Sequence, residues 1–330
     1  MSPKAIFELV RDTFKDWSED KAARLGASLA YYTIFSIGPL LVIVISIASI
    51  VFDDAAGQVA ATISRMIGPD AGDIVKQTIE NANKGGGNII ATGIGIVTLL
   101  FGAAGVFGQL KDALNTIWEV APKPGAGIIG MLKDRFLSFT MVLGTGFLLM
   151  VSLVVSAALT ALGGVLSDLI PGAEIIGQII NFLVAFFVIM LMFALLFKFL
   201  PDVKIAWSDV WIGAAVTALL FLLGQFALAF YIASGNVGSA FGAASALVII
   251  LVWIYYSSQI LFLGAEFTQV YTNRYGSRVR PAPNAEFITE EQRAQEGMPD
   301  KEEEGKGEHR DKEGAQKQKG KRLKASPWFR

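Results

Sequence analysis

The stretch "RLGASLAYYTIFSIGPLLVIVISIASIVF" (24–52) decides the fold. Its apolar part, residues 29–52, is longer than the roughly 20 residues that cross a hydrocarbon core about 30 Å thick. A cleaved signal would need a short apolar core and a small-residue cleavage site. Here a polar-rich segment of residues 1–28 comes first, and the run passes without such a site into "DDAAGQ". The stretch therefore reads as a retained span that opens on Tyr31 and Tyr32. Pro39 falls inside it, where it removes one backbone hydrogen bond and favours a kink. The freed carbonyl needs a new donor, and the hydroxyls of Thr33 and Ser36 are the nearest candidates.

Five more apolar blocks follow at about 89–109, 136–162, 179–200, 210–233 and 241–267. With no water in the bilayer core, each must satisfy its own backbone as a helix or join a closed barrel. Long runs without strict alternation exclude barrel strands of about 10 residues. The 330-residue chain is 53% apolar and 17% charged, and the charges gather in the gaps and at the ends. The expected fold is all-α: a polytopic membrane protein whose six transmembrane helices form a bundle within 29–275.

The gaps alternate in basic content. Lys4, Arg11, Lys15, Lys21 and Arg24 precede the first block, and Lys111, Lys123, Lys133 and Arg135 follow the second. Lys198 and Lys204 follow the fourth, and Arg274, Arg278 and Arg280 the sixth. Gaps 163–178 and 234–240 hold no Lys or Arg, whereas 53–88 sets Arg65, Lys76 and Lys84 against five acids. By the positive-inside rule both termini are cytoplasmic. Trp207 and Trp211 then stand at the cytoplasmic entrance of the fifth span, and Lys198 can snorkel to the same interface.

Outside the spans, "PKAIFELVRDTFKDWS" (3–18) puts Ile6, Val10, Phe14 and Trp17 on one helical face. Ser2 suits its cap and Pro3 its first position. Two settings fit: a helix lying in the cytoplasmic interface, or one packed on the protein's own loops. Residues 53–88 read as an extracytoplasmic helical hairpin broken at "GPDAG", and "KGGGN" as a hinge. Residues 281–330, rich in Pro, Glu, Lys, Gln and Gly, are expected to be a disordered cytoplasmic tail. Its "KQKGKRLK" cluster suits either solvent or anionic lipid.

Chemistry is hard to place. There is no cysteine, and the sole histidine, His309, lies in the tail, so "GASL" (26–29) lacks the partner of a serine–histidine dyad. Zinc and histidine-based hydrolase sites fall with it, and no Walker or G-x-S-x-G motif occurs. The expectation is no enzyme, no metal and no cofactor. The span centres carry no ionisable group of the kind pumps keep for use. They offer neutral groups instead: Gln225, Tyr255, Tyr256, Ser257, Ser258 and Gln259. Small residues recur at Gly238, Gly242 and Ala246, and at Gly102, Gly105 and Gly108, in patterns that suit close helix packing.

Four stretches form a recognisable set: "GASLAYYTIFSIGPLLVI", "FGQLKDALNTIWEV", "FKFLPDVKIAWSDVWIGA" and "ALVIILVWIYYSSQILFLGAEFTQVY". In their order and spacing the chain resembles the YihY/BrkB family of bacterial inner-membrane proteins, over about residues 20–275. The resemblance implies six spans in the plasma membrane and a link to serum resistance and envelope integrity. The family also carried an old description as a tRNA-processing ribonuclease. This sequence argues against that, lacking a histidine–aspartate metal cluster and a basic nucleic-acid face.

Two functions follow as expectations. One is a transporter or translocator of a lipid or other envelope amphiphile. The alternative is a non-transporting scaffold that supports envelope integrity, with membrane lipids as partners and envelope proteins reached through the hairpin or tail. Oligomeric state is not readable. The candidate cavity or gate residues are Tyr31, Tyr32, Pro39, Gln109, Lys111, Asn115, Trp118, Gln225, Tyr255, Tyr256, Gln259 and Glu266. Gln109, Lys111, Asn115 and Trp118 share a helix leaving the second span. Glu266, at the end of the sixth, is placed to pair with Lys111, Arg135 or Arg24, as a latch between helix ends or as a gate.

Overall fold

A computed structural model describes residues 2–48, 54–67, 72–73, 76–77, 105–123, 140, 144, 148, 173–234, 245–295 and 297–299. The chain divides into two compact units, Met1–Glu286 and Phe287–Arg330.

In the first unit, α1 is Pro3–Glu19, capped by Ser2, whose hydroxyl accepts from the Ala5 N–H at 3.3 Å. Asp20 ends it, and Lys21 turns the chain with φ 53°. α2 is Ala22–Ala48, α3 is Ala55–Ile67, and α4 covers 105–117. β1 (Val120–Pro122) leads on, and after the next described stretch come α5 (Ala173–Phe199), β2 (Val203–Lys204), α6 (Trp207–Ser234) and α7 (Ser245–Tyr275). β3 (Arg280–Pro281) pairs antiparallel with β2, with Val203 opposite Pro281 and Lys204 opposite Arg280. β1 pairs with β4 (Ala285–Phe287).

Among the described residues, three helical segments are long and apolar enough to cross a membrane: Gly177–Phe199, Trp207–Leu228 and Leu247–Tyr275. They contain much of the expected fourth, fifth and sixth spans. α3 supplies one limb of the expected hairpin. Most of the other limb and most of the expected second and third spans lie outside the described residues, as do Gly102, Gly238 and Gly242.

α5 and α6 are apolar on both their inner and outer faces. α5 buries Phe193, Ala194 and Phe197 while exposing Phe182, Leu183 and Phe187. α6 buries Val210, Ala214 and Ala218 and exposes Leu223, Phe226 and Phe230. Such all-round hydrophobicity fits helices surrounded by lipid rather than water. The core joins Leu114, Ile117 and Trp118 of the α4 end to Phe193, Phe197, Val210 and Phe262.

Small side chains set the closest helix approach. Gly213 and Thr217 of α6 meet Thr268 and Gly264 of α7 in an antiparallel exchange. A Cβ on Gly213 would overlap the Thr268 side chain, and one on Gly264 the Thr217 side chain. Each threonine turns its hydroxyl back to its own helix, Thr217 to the Gly213 carbonyl at 2.7 Å and Thr268 to the Gly264 carbonyl at 2.6 Å. The hydroxyl oxygen is the threonine atom nearest each opposing glycine, so a hydroxyl already bonded within its own helix packs against bare backbone.

Two expectations need correcting. The hydroxyls of Thr33 and Ser36 do not go to the carbonyl that Pro39 frees, which belongs to Phe35. Thr33 donates to Leu29 at 2.7 Å, and Ser36 to Tyr32 and Thr33 at 3.0 and 3.1 Å. A helical hydroxyl reaches back only three or four residues, so neither can serve a carbonyl beside or ahead of it. The start of the segment expected to be a disordered tail is ordered. Residues 280–287 contribute β3 and β4, held by main-chain pairing that an average over fifty polar residues hides.

In the second unit, α8 (Glu290–Gln295) opens with a capping box. The Thr289 N–H donates to Gln292 Oε1 at 2.9 Å, and the Gln292 N–H to Thr289 Oγ1 at 3.3 Å.

The glycine–threonine seam predicts a size-dependent penalty. Gly213→Val should lower stability by about 1–3 kcal/mol through overpacking. Adding Thr268→Gly should recover part of that loss. Thermal unfolding of the detergent-purified protein measures both.

Candidate functional site

Two features stand out in the first unit. At one end of the bundle, where α4 and α5 end and α6 begins, Asp202 lies between α5 and β2. Lys111 of α4 places Nζ 2.9 Å from Asp202 Oδ2, with the side chains only 7% and 11% exposed. One turn on, Asn115 Nδ2 donates to the same oxygen at 3.1 Å, and the Asp202 N–H donates back to Asn115 Oδ1 at 2.8 Å. Asn284 Nδ2 donates to the other carboxylate oxygen at 3.1 Å, and the Ala282 N–H to the Asp202 carbonyl at 2.9 Å. A buried lysine is costly unless paired and hydrogen-bonded, and this carboxylate supplies the pairing. Lys123 extends the clamp, its N–H donating to Asn284 at 2.9 Å and its ammonium to Pro283 at 3.1 Å.

A second carboxylate acts alongside. Asp209, in the first turn of α6, accepts from the Ser277 N–H at 2.8 Å and its hydroxyl at 2.9 Å. It thereby fixes the chain as it leaves α7, where Gly276 leaves no room for a Cβ beside the carboxylate. Around this end, Phe199, Trp207 and Trp211 form an aromatic run. Lys198 lies over the Trp207 ring, 5.5 Å from its centroid, and donates to the Ile205 carbonyl.

The other feature is a groove of about 400 Å³ between α6 and α7, with α1 over it. Leu223, Gly224 and Ala227 form one wall, Tyr256 and Gln259 another, and Phe14 and Trp17 of α1 cover it. Gly224 is required there, because a Cβ would overlap Ile260 and the Tyr256 hydroxyl. Gln259 Nε2 is directed at the Ala22 carbonyl at 3.5 Å, and Gly26 gives it room, since a Cβ there would overlap that nitrogen. α1 is anchored by Arg274, which bonds Glu8 and reaches Asp12 Oδ2 at 2.9 Å. It packs Leu9 and Thr13 inward and still exposes Ile6, Phe7, Val10 and Phe14. It packs on the helices α7 and α2 rather than on loops, and keeps an apolar face outward.

The expected site residues separate into groups. Tyr256 and Gln259 line the groove. Gln225 is half-buried beside it without forming its wall. Tyr31 and Tyr32 are exposed and stack edge-on, 5.8 Å apart, with Tyr32 against Gly105. Tyr255 packs with Ala30, Ile250 and Ile254. Lys111, Asn115, Trp118 and Glu266 are buried at the latch end, while Gln109 is half-buried. Lys111 takes Asp202 as its ion-pair partner, a residue the expected latch did not include, and Arg135 lies outside the described residues. Pro39 lies within α2.

Sequence reasoning passed over Asp202 and Asn284, and it gave Phe14 and Trp17 only an interfacial role. Asp202 had a readable signal: it sits just past a span, at the same end as Lys111. Asn284 carried none, being one polar residue in a polar segment.

The latch should be sensitive to loss of one partner. Asp202→Ala is expected to cost about 3–5 kcal/mol, because Lys111 loses its carboxylate while still buried. The double change Lys111→Met with Asp202→Ala should cost less than the sum of the single changes, a coupling that a double-mutant cycle of unfolding midpoints measures. Truncation separates the ends of the tail. A chain ending at 300 should keep the wild-type melting temperature, whereas one ending at 280 should lose several degrees with β3, β4 and Asn284.

The comparisons with known proteins agree with this architecture. The sequence profile of the family described as virulence factor BrkB matches residues 13–289. A UPF0761 membrane protein of Halorhodospira halophila is 31% identical over 257 residues, covering 76% of this chain and 54% of the relative. Those of Mannheimia succiniciproducens and Actinobacillus pleuropneumoniae are 27% and 28% identical, covering 77% of this chain and 86% and 90% of theirs. The chain thus spans about half the length of the Halorhodospira relative and most of the other two. No solved structure matches. A profile match over most of the chain, on a bundle of membrane-length helices, makes this a membrane protein that belongs to the BrkB family.

Proposed function

We propose that the protein is a lipid translocator of the bacterial plasma membrane, taking an amphiphile into the groove between α6 and α7. The reading includes six spans, both termini in the cytoplasm and α3 in an outer hairpin. It assigns no chemical step and no cofactor, and its partners are membrane lipids.

The carrying observation is the groove itself. Its apolar walls adjoin the lipid-facing side chains of α6, among them Phe226 at 71% and Phe230 at 76% exposure. Trp17, Tyr256 and Gln259 are the residues with a polar side-chain group among those that line it. A site with mostly apolar lining and a few convergent polar groups is suited to a ligand that is itself amphiphilic. The cytoplasmic placement of the latch end is supported by Lys198, Lys204 and Arg274 there, and by the Trp207–Trp211 pair at interfacial depth.

Full-length protein reconstituted in vesicles with fluorescent-tailed glycolipid and phospholipid analogues provides the test. Leaflet exchange of at least one analogue should exceed that of protein-free vesicles. Ala227→Trp, which fills the groove from an exposed wall position, should cut that excess about tenfold without changing the melting temperature. Exchange no faster than in protein-free vesicles for every analogue would refute translocation.

A further inference from the structure

At the latch end, three cations stand without a counter-charge. Lys204 of β2 and Arg280 of β3 are directly opposite each other in the ladder, and Arg278 lies two residues before Arg280. All three are exposed, and none has an ion pair or a side-chain hydrogen bond among the described residues. Asp202 and Asp209 are committed elsewhere, to Lys111 and to Ser277. Directly opposed residues bring their Cβ atoms within about 5 Å, and like charges there are destabilising. Arg278 adds a second penalty, because its φ of 60° is a backbone conformation that favours glycine. Both penalties fall on a rigid platform. The Ser277 hydroxyl, which donates to Asp209, accepts from the Ala206 N–H at 3.2 Å, and the Val279 N–H donates to Asn273 Oδ1 at 3.2 Å. The segments that carry the cations are thus fixed before any ligand arrives.

We infer that this platform binds the phosphate of an anionic phospholipid in the cytoplasmic leaflet. A phosphate set between Lys204 and Arg280 turns their repulsion into charge-assisted contacts, and a guanidinium fork matches its oxygens. Arg278 adds a third positive charge in the adjoining turn. What favours a lipid over a free anion is the neighbouring surface. Trp207 opens α6 three residues after Lys204, and its ring is exposed together with those of Trp211 and Phe199. Indole rings of this kind settle at headgroup depth, which sets the cations beside them at the level of lipid phosphates. The site depends on this end lying at the membrane surface and not on translocation through the groove.

Native mass spectrometry of the full-length, detergent-purified protein tests the site with phosphatidylglycerol and phosphatidylcholine of identical acyl chains. In phosphatidylcholine the choline cancels the phosphate charge, so phosphatidylglycerol should bind about tenfold more tightly. Lys204→Gln with Arg280→Gln should bring the two lipids to within about twofold of each other. Lys4→Gln, which removes an exposed charge from α1, should leave the preference intact. Melting temperatures separate binding from a purely structural role. Without lipid, the double variant should melt no lower than the wild type, since a repulsive pair has been removed. Phosphatidylglycerol should raise the wild-type melting temperature more than phosphatidylcholine does, and lose that advantage in the variant. Arg278→Gly should weaken phosphatidylglycerol binding about fivefold without lowering the melting temperature. Equal binding of the two lipids by the wild type would overturn the inference. So would a preference that survives the double change, or one that Lys4→Gln removes as well. Inorganic phosphate at millimolar concentration should not displace bound phosphatidylglycerol, and displacement would assign the platform to free phosphate instead. Ala227→Trp fills the groove and should keep the preference, so loss of leaflet exchange and loss of this site are read separately. A preference lost in that variant would place the lipid in the groove and remove the platform as its site.

Discussion

The carboxylate of Asp202 is the point on which one end of the bundle depends. It neutralises the buried Lys111 of α4, fixes Asn115 one turn along the same helix, and accepts from Asn284 of the segment beyond α7. Its own N–H and C=O are used as well, by Asn115 and Ala282. Five hydrogen-bond or ion-pair links from two separated parts of the chain thus meet on one residue. A charge in such a place is tolerated only while every partner is present. The helix ends at that side are therefore tied together, and with Asp209 holding Ser277 they are tied twice.

What this constraint leaves free lies further along α6 and α7. The Gly213–Thr268 and Thr217–Gly264 contacts close the seam near the latch, and both threonine hydroxyls are internally satisfied. About two turns on, the same two helices line the groove together with Phe14 and Trp17 of α1. Buried polar atoms without a hydrogen-bond partner among the described residues occur at both places, Trp118 Nε1 and Thr272 Oγ1 toward the latch and Trp17 Nε1 and Gln259 Oε1 beside the groove.

The sequence made the helices legible and left the links between them hidden. The apolar run at 179–200 closely matches the membrane-length helix Gly177–Phe199, because length and hydropathy are local properties. The cap at Ser2 and the start at Pro3 were equally local. The latch was not: Asn115 meets Asp202 across 87 residues, and Asn284 meets it across 82. No periodicity within one helix encodes such a pairing. Tyr256 and Gln259 could be named as polar residues inside a span, whereas their neighbours Phe14 and Trp17 looked like one face of a surface helix. Their second role depends on α1 folding back over α7, a placement set by Arg274 with Glu8 and Asp12.

The placement of α1 also bears on how a ligand would enter. The Arg274 pairs are about a third exposed, so they are weaker ties than the latch, and screening weakens them further. The cover of the groove is thus held by labile contacts, while its walls belong to helices locked at one end. Gln259 belongs to α7 and so to the locked walls, whereas Phe14 and Trp17 belong to α1 and depend on the weaker ties.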